Sequence, residues 1–245
     1  MITSQKQLTE LMMDHLSNIF KCSKEVLMNE TYTQVFVEEK DNIEKPSFDI
    51  MTTGNTVVVK ATADRLKYVQ SKIHEQDRDS IFSFPFIRGH YHHYIPKIAS
   101  IPDLPLIDGY SFQMVEGAFV RELLMIKGFD NALIYEDNNK RKTDIIFMMK
   151  YNDEIVGMAS GSKVSEKIWQ LGVDVIASHR NKGIASFLVC EITRELLSRG
   201  ILPFYDVLSS NLNSHRVAVK CGYHIGWITD WKCYFDDEKL NKTIR

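Results

Sequence analysis

The residues with the clearest chemistry are Arg180, Lys182 and Gly183, held in the string Arg180-Asn181-Lys182-Gly183-Ile184-Ala185. Two cations beside a glycine suit a phosphate. Guanidinium and ammonium groups neutralise a pyrophosphate, and a residue with no side chain lets a phosphate oxygen reach the backbone. Ala185 is small enough to serve the same end. Upstream, Trp169 to Ile176 is apolar and β-branched, interrupted only singly by Gln170 and Asp174, and reads as a strand. Downstream, Ile184, Leu188, Ile192 and Leu196 recur at helical spacing with Phe187 alongside. Glu191, Arg194, Glu195 and Ser198 take the other faces, and Gly200 supplies the stop. The string therefore falls where a helix begins, with its first N–H groups unpaired and the positive end of its dipole exposed. Taken alone, such a string is more often a solvated basic turn, and the strand and helix around it are what favour an anion.

A second block follows. Pro203-Phe204-Tyr205-Asp206-Val207 reads as the next strand, and Asn211-Leu212-Asn213-Ser214 opens a helix that ends at Cys221-Gly222-Tyr223. The two blocks in this order resemble the GNAT N-acetyltransferase superfamily. The first is similar to its acyl-CoA pyrophosphate loop, Gln/Arg-x-x-Gly-x-Gly/Ala, and the second to its strand, Asn-x-x-small and Gly-aromatic ending. The resemblance runs from near Asp108 to Phe235 and points to a bacterial branch with an extra N-terminal domain.

That resemblance implies an α/β (α+β) fold: a mixed, largely antiparallel sheet flanked by helices, with a smaller N-terminal α/β domain. It implies acetyl-CoA as co-substrate, without a metal, and acetyl transfer to a primary amine of a small molecule. Arg180, Asn181, Lys182, Gly183, Ile184, Ala185 and Ser186 would surround the phosphates. Val173, Val175 and Ile176 would pair through their backbone with the pantetheine arm, and Asn211 and Ser214 would complete the cofactor site.

Acyl transfer from a thioester to an amine needs the donor held, the amine neutral, and the developing charges stabilised. Many members of the superfamily place a tyrosine acid four residues before the glycine of the Gly-aromatic ending, and here that position is Ala218. Tyr205 is the first substitute, then His215, with Tyr223, Ser214 or no acid at all also open, since a CoA thiolate is already a tolerable leaving group. For the base, Asp206 ranks ahead of Asp174, because it lies close to where the two strands must splay to admit the thioester. Each aspartate has an equal claim to be a carboxylate that merely ties the sheet to a loop. Trp169 reads as a core or wall residue. The loss at Ala218 also supports another reading, a non-catalytic module that binds or senses acyl-CoA.

Composition sets the outer limits. The 245 residues suffice for one large or two modest domains, and 44% hydrophobic with 25% charged residues is ordinary for a soluble globular protein. With 30 basic and 32 acidic residues the net charge is −2, so no global field recruits nucleic acid or an anionic membrane. Cys22, Cys190, Cys221 and Cys233 lack paired metal spacing, and reduced thiols in a cytoplasmic protein are the simplest expectation. The chain shows neither a signal-like segment nor an apolar run long enough to span a membrane. A homodimer stays open.

The elements that must position these residues follow from periodicity. Gln5 to Phe20 is helical in spacing, and Ser23 starts a second short helix. Tyr32 to Glu38 and Asn55 to Lys60 read as strands, and Ala63 to His74 as a helix. Lys40 to Pro46 is a charged loop. Ile81 to Tyr94 carries His90-Tyr91-His92-His93-Tyr94; with no nearby Cys and no helical His-x-x-x-His, a partly exposed aromatic interface is preferred to a metal site. Ile98 to Asp108, with Pro102 and Pro105, reads as the linker between an N-terminal domain of residues 1–104 and an acetyltransferase-like domain of residues 108–240. Tyr110 to Val115 is then a strand, Phe119 to Lys127 a helix, and Asp144 to Tyr151 with Glu154 to Lys163 a hairpin across Asn152-Asp153. Trp227 to Phe235 forms a last strand, and Asp236 to Arg245 a charged end.

Overall fold

A computed structural model describes residues 1–40, 47–133 and 142–233. In chain order the elements are α1 (Gln5–Phe20), α2 (Lys24–Leu27), β1 (Thr33–Glu38), β2 (Phe48–Thr52), β3 (Thr56–Ala61), α3 (Ala63–Ile73), α4 (Arg78–Phe82) and β4 (Ile87–Pro96). They continue as β5 (Ser111–Glu116), α5 (Ala118–Leu123), β6 (Thr143–Tyr151), β7 (Glu154–Ser165), β8 (Ile168–Val175), α6 (Ile184–Ser198), β9 (Leu202–Leu208), α7 (Leu212–Lys220) and β10 (Tyr223–Cys233). The last strand starts earlier than its periodicity implies. The side chains of Trp231 and Cys233, the segment 41–46, and Tyr234, Phe235 and the charged end all lie outside the described residues.

The chain falls into two compact units. The first comprises Met1–Met12, Tyr94–Val207 and Asn211–Ile225; the second comprises Met13–His93, Leu208–Ser210 and the described residues from Gly226 onward. Each is assembled from separate stretches. The proline-bearing segment expected between the domains, Ile98 to Asp108, lies within the first unit. Its Ile101, Leu104 and Ile107 pack against the core there, and Gly222 sits so close that a Cβ would come within 2.3 Å of Ser100 O. Pro102 and Pro105 exclude regular structure without making the segment a free linker.

In the first unit the strands lie in the order β9-β8-β7-β6-β5. β5 to β8 pair antiparallel, and β8 pairs parallel with β9. The apolar run Ile145 to Met149 on β6 has no polar face because both faces are covered. Ile145, Phe147 and Met149 join Ile184, Leu188, Ile192 and Leu196 of α6, while Ile146 and Met148 meet Val120, Phe129, Ala132 and Leu133. The β6–β7 hairpin turns at Asn152 and Asp153 with φ of 49° and 63°, the positive values that a two-residue turn of matching twist requires.

In the second unit β1 pairs parallel with β3, β3 antiparallel with β2, and β2 antiparallel with β10. Val69 and Ile73 of α3 pack with Ile50, Val57, Val59 and Ala61. The histidine string is strand β4. His90, Tyr91 and His92 on it are partly exposed, while His93 is packed inside: it stacks on Trp227 at 4.5 Å between ring centroids and its Nε2 lies 2.9 Å from Thr229 Oγ1. His90 and His92 pair with Phe82 O and Ser209 Oγ.

The same unit holds a titratable strain. Burial, with a smaller push from Asp49, raises the Asp230 carboxyl to about 6. Because the folded value exceeds the ordinary one, the protonated form is favoured by folding. That contribution is complete below about pH 4 and is lost as pH rises through about 6, an amount of ~3 kcal/mol at most. Asp230→Asn is expected to raise the melting temperature at pH 7.5 and leave it nearly unchanged at pH 3.5. His15 is shifted down by burial and titrates in the opposite sense. The difference between wild type and variant across pH therefore isolates Asp230, and an equal effect at both pH values contradicts the assignment.

Candidate active site

The basic turn forms an open cradle at the start of α6. Gly183 is the N-cap of α6 with φ 88°, and no side chain caps the helix there. A Cβ built on Gly183 meets nothing within 4 Å, so no packing demand of the protein explains the glycine; the backbone conformation and the open space in front of it do. Asn181 also has a positive φ, 62°, a conformation that asparagine tolerates better than most residues. Arg180 ties the turn to the preceding strand by donating from Nε to Val175 O at 3.0 Å. Lys182, expected beside the phosphates, instead donates to Tyr110 Oη at 3.2 Å. Since an ammonium only donates, Tyr110 Oη is free to give its own hydrogen to His179 Nδ1, 2.8 Å away.

The strands in front of the cradle part company. β8 and β9 pair from Ile168↔Leu202 to Leu171↔Tyr205 and no further among the described residues, although β8 runs on to Val175 and β9 to Leu208. On its other edge β8 stays paired with β7 as far as Gly157↔Val175. The sheet is thus open on one side only, presenting strand backbone from Gly172 onward. Ile176 lies beyond this opening: its N–H is taken by Val156 O at 3.0 Å, so of the three residues expected to pair with a ligand only Val173 and Val175 line the space.

A cavity of about 510 Å³ occupies the opening. Of the residues singled out from the sequence, Val173, Asp174, Val175, Arg180, Asn181, Gly183, Ile184, Ala185, Ser186, Tyr205 and Ser214 line it. Asp206, Lys182, Ile176 and Asn211 do not. Asn211 caps α7, its Oδ1 accepting from Ser214 N at 3.2 Å. The sequence reading missed Asn131, His179, Asn213, Arg216, Val217 and Lys220. Arg216, Val217 and Lys220 recur at three- and four-residue spacing on α7, a signal present in the sequence, whereas Asn131 arrives from a loop that no periodicity marks.

The candidate acid and bases separate clearly. Tyr205 is 5% exposed at the last paired position of β9. Burial pushes its phenol above the usual range, against a hydrogen bond with Ser214 that lowers it. Asp174 accepts from Asn131 N at 2.8 Å, Asn131 Nδ2 at 2.6 Å and Ala132 N at 2.9 Å, so its carboxylate both faces the cavity and anchors a loop. The loop runs hard against β8: a Cβ on Gly172 would fall 1.9 Å from Asn131 O. Asp206, next along β9 from Tyr205, points to the other face and accepts from Gln170 Nε2 at 2.7 Å. The order expected from sequence, Asp206 before Asp174, is therefore reversed by strand alternation. Tyr223 is buried against Thr193 Oγ1 at 2.6 Å, and His215 Nδ1 pairs with Tyr94 Oη at 2.9 Å; neither lines the cavity. Ala218 is fully buried in the core under α6 and α7, and Trp169 packs against the same core as a wall residue. Among the described residues no cluster of three or more His, Cys, Asp or Glu could hold a metal, and no helix is long and apolar enough to cross a membrane.

The model of the acetyltransferase (GNAT) family matches residues 114–223, the stretch from β5 through the start of β10. No curated protein matches the sequence. Among solved structures, a GNAT-family protein from Novosphingobium aromaticivorans is similar at 15% identity and a TM-score of 0.46, covering 59% of this chain and 66% of its own. A GCN5-related N-acetyltransferase-like protein from Streptococcus suis is similar at 14% identity and a TM-score of 0.45, covering 73% and 72%. A Salmonella typhimurium protein solved with its cofactor acetyl-CoA is similar at 17% identity and a TM-score of 0.37, covering 47% and 79%. The chain spans just under two thirds of the Novosphingobium protein. Over residues 114–223 the chain is similar to the acetyltransferase (GNAT) family.

Proposed function

We propose that the first unit binds acetyl-CoA and transfers its acetyl group to a primary amine of a small molecule, in the cytoplasm. The observation that carries this reading is the parting of β8 from β9 after Leu171↔Tyr205, directly in front of the Gly183 turn. A thioester on a long polar arm fits such an opening: amide groups of the arm pair with strand backbone at Val173 and Val175, and the pyrophosphate rests on the first N–H groups of α6 beside Arg180. The acetyl carbon then lies near Tyr205, where the strands diverge. The amine nitrogen attacks the carbonyl carbon, the C–N bond forms, and the C–S bond breaks. Tyr205 supplies a proton to the departing sulfur, and the proton of the amine leaves through water held by Asp174.

Thiol release from acetyl-CoA, measured with a panel of primary amines, tests the reading. An amine-dependent release with stoichiometric N-acetyl product is expected. Tight binding of acetyl-CoA with no thiol released by any amine would instead favour the non-catalytic module, for which the apolar Ala218 is the support.

A further inference from the structure

Two cysteines meet in the core between α6 and α7, and no step of the acetyl transfer uses them. Cys190 and Cys221 are both free thiols, both fully buried, and both part of the same core cluster in the first unit. Cys221, the C-cap of α7, donates from Sγ to Ser186 O at 3.4 Å. Cys190 stands four residues beyond Ser186 on α6, and helical side chains lean toward the N-terminus, so its sulfur lies over that same turn. The two thiols accordingly share a hydrogen bond. With no third His, Cys, Asp or Glu to join them among the described residues, the pair is not a metal site. It borders the working parts of the unit: Ser186 lines the cavity, and the Tyr205 phenol, raised chiefly by burial, also feels Cys221.

The pair is unequal. The Cys221 S–H aimed at it, and then the Arg194 guanidinium one turn along α6, hold the Cys190 thiol below the usual range against the effect of burial, whereas the same contact and burial push Cys221 up. Cys190 therefore supplies the thiolate and Cys221 the proton. Of the nine residues of α7 only Ala218 is buried, so the end of that helix opens at low cost and admits a small neutral oxidant. We propose that Cys190 and Cys221 form a redox site that a peroxide closes into a disulfide, drawing the end of α7 onto α6 and lowering the affinity of the cavity for acetyl-CoA. The Cys190 thiolate attacks a peroxide oxygen: the S–O bond forms, the O–O bond breaks, and the released hydroxide takes up the Cys190 proton and leaves as water. The Cys221 sulfur then attacks the sulfenic acid: the S–S bond forms, the S–O bond breaks, and the Cys221 proton leaves with the hydroxyl as a second water. Two thiols are oxidised and one peroxide is reduced. Bridging brings the sulfurs to about 2 Å and withdraws the S–H from Ser186 O, so the cavity walls supplied by α6 and α7 shift together. The disulfide goes beyond the acyl-CoA reading and stands without it; only the effect on affinity rests on that reading.

Non-reducing peptide mapping by mass spectrometry tests it, on the folded full chain after treatment with hydrogen peroxide. A cross-link between the Cys190 and Cys221 peptides, lighter by the thiol hydrogens and reversed by dithiothreitol, is expected. Cys221→Ala should leave Cys190 as a sulfenic acid that dimedone traps, and Cys190→Ala should leave Cys221 unmodified; circular dichroism checks that both fold, and the wild-type map decides the matter if they do not. Calorimetric titration should find the oxidised protein binding acetyl-CoA about 5-fold or more weakly than the reduced one. Dithiothreitol, which leaves oxidised methionines as they are, should restore the affinity. A cross-link that forms only in urea, or oxidation confined to Cys22 and Cys233, overturns the redox site. A cross-link that leaves the affinity unchanged overturns its effect on the cavity. Reduced protein that binds no acetyl-CoA overturns the acyl-CoA reading and the effect on affinity with it, while the peptide map still decides the disulfide.

Discussion

Gly183→Val is expected to weaken acetyl-CoA binding by about 10²-fold or more, equivalent to ~2.7 kcal/mol, with a smaller loss of thermal stability. Two costs must be told apart. At φ 88° a β-branched residue is strained whatever the space, which costs roughly 1–2 kcal/mol in folding. The room for a side chain exists, since a Cβ there meets no atom within 4 Å, but that room is where the phosphate oxygens must lie. Gly183→Asn separates the effects, because asparagine accepts the left-handed conformation and still fills the cradle. It should retain most of the stability and lose most of the affinity. Asn181→Ala gives the converse: at φ 62° alanine pays the conformational cost, while affinity changes by no more than a few-fold. Titration calorimetry with acetyl-CoA, paired with thermal melts, reads both quantities. Equal affinities for wild type and both Gly183 variants would mean that the turn does not hold the pyrophosphate.

Much of the site is legible in the sequence because its parts are contiguous. The strand, the basic turn and the α6 stripe follow one another, so periodicity alone places Gly183 at a helix start, and β6–β7 announces itself through Asn152-Asp153. What the sequence hides are relations across distance. Asn131 and Asp174 meet because Gly172 has no side chain, a contact that no local pattern signals. The facing of Asp206 depends on strand register: with Leu171 opposite Tyr205, the next residue turns to the other side and finds Gln170. Arg216 and Lys220 were visible as an i, i+4 pair, yet nothing local says that their face of α7 borders the cavity.

In the second unit the strands carry little local signal. β2 is only Phe48–Thr52, with Asp49 as its second residue, and β4 mixes Arg88, Gly89 and three histidines into a strand. Such residues earn their place by tertiary partners, as His93 does against Trp227, and propensity cannot anticipate those. The segment Ile98 to Asp108 reads as a spacer because its prolines dominate the local signal, while Ile101, Leu104 and Ile107 answer to a core far away in sequence.

Tyr205→Phe is expected to lower kcat by 10²- to 10⁴-fold and to leave acetyl-CoA affinity within a few-fold of wild type. The ring stays, so the buried wall it forms is kept; only the hydroxyl is removed. With its phenol shifted upward by burial, Tyr205 remains protonated through neutral pH and beyond the usual tyrosine range, as a proton donor to sulfur must. The wild-type rate should therefore rise with pH as the amine loses its proton and show no falling limb below about pH 10. Ser214, whose side chain bonds the phenol, gives a positioning control: Ser214→Ala should lower kcat only modestly, because it leaves the proton in place. An acetyl donor with a more acidic leaving group, such as p-nitrophenyl acetate, supplies the decisive comparison. Such a group departs without a proton, so Tyr205→Phe should handle it nearly as well as wild type does. If both donors suffer equally, the hydroxyl orients the acyl group and does not deliver a proton. If neither suffers, the thiolate leaves unassisted and the rate rests on how well the parted strands hold thioester and amine together.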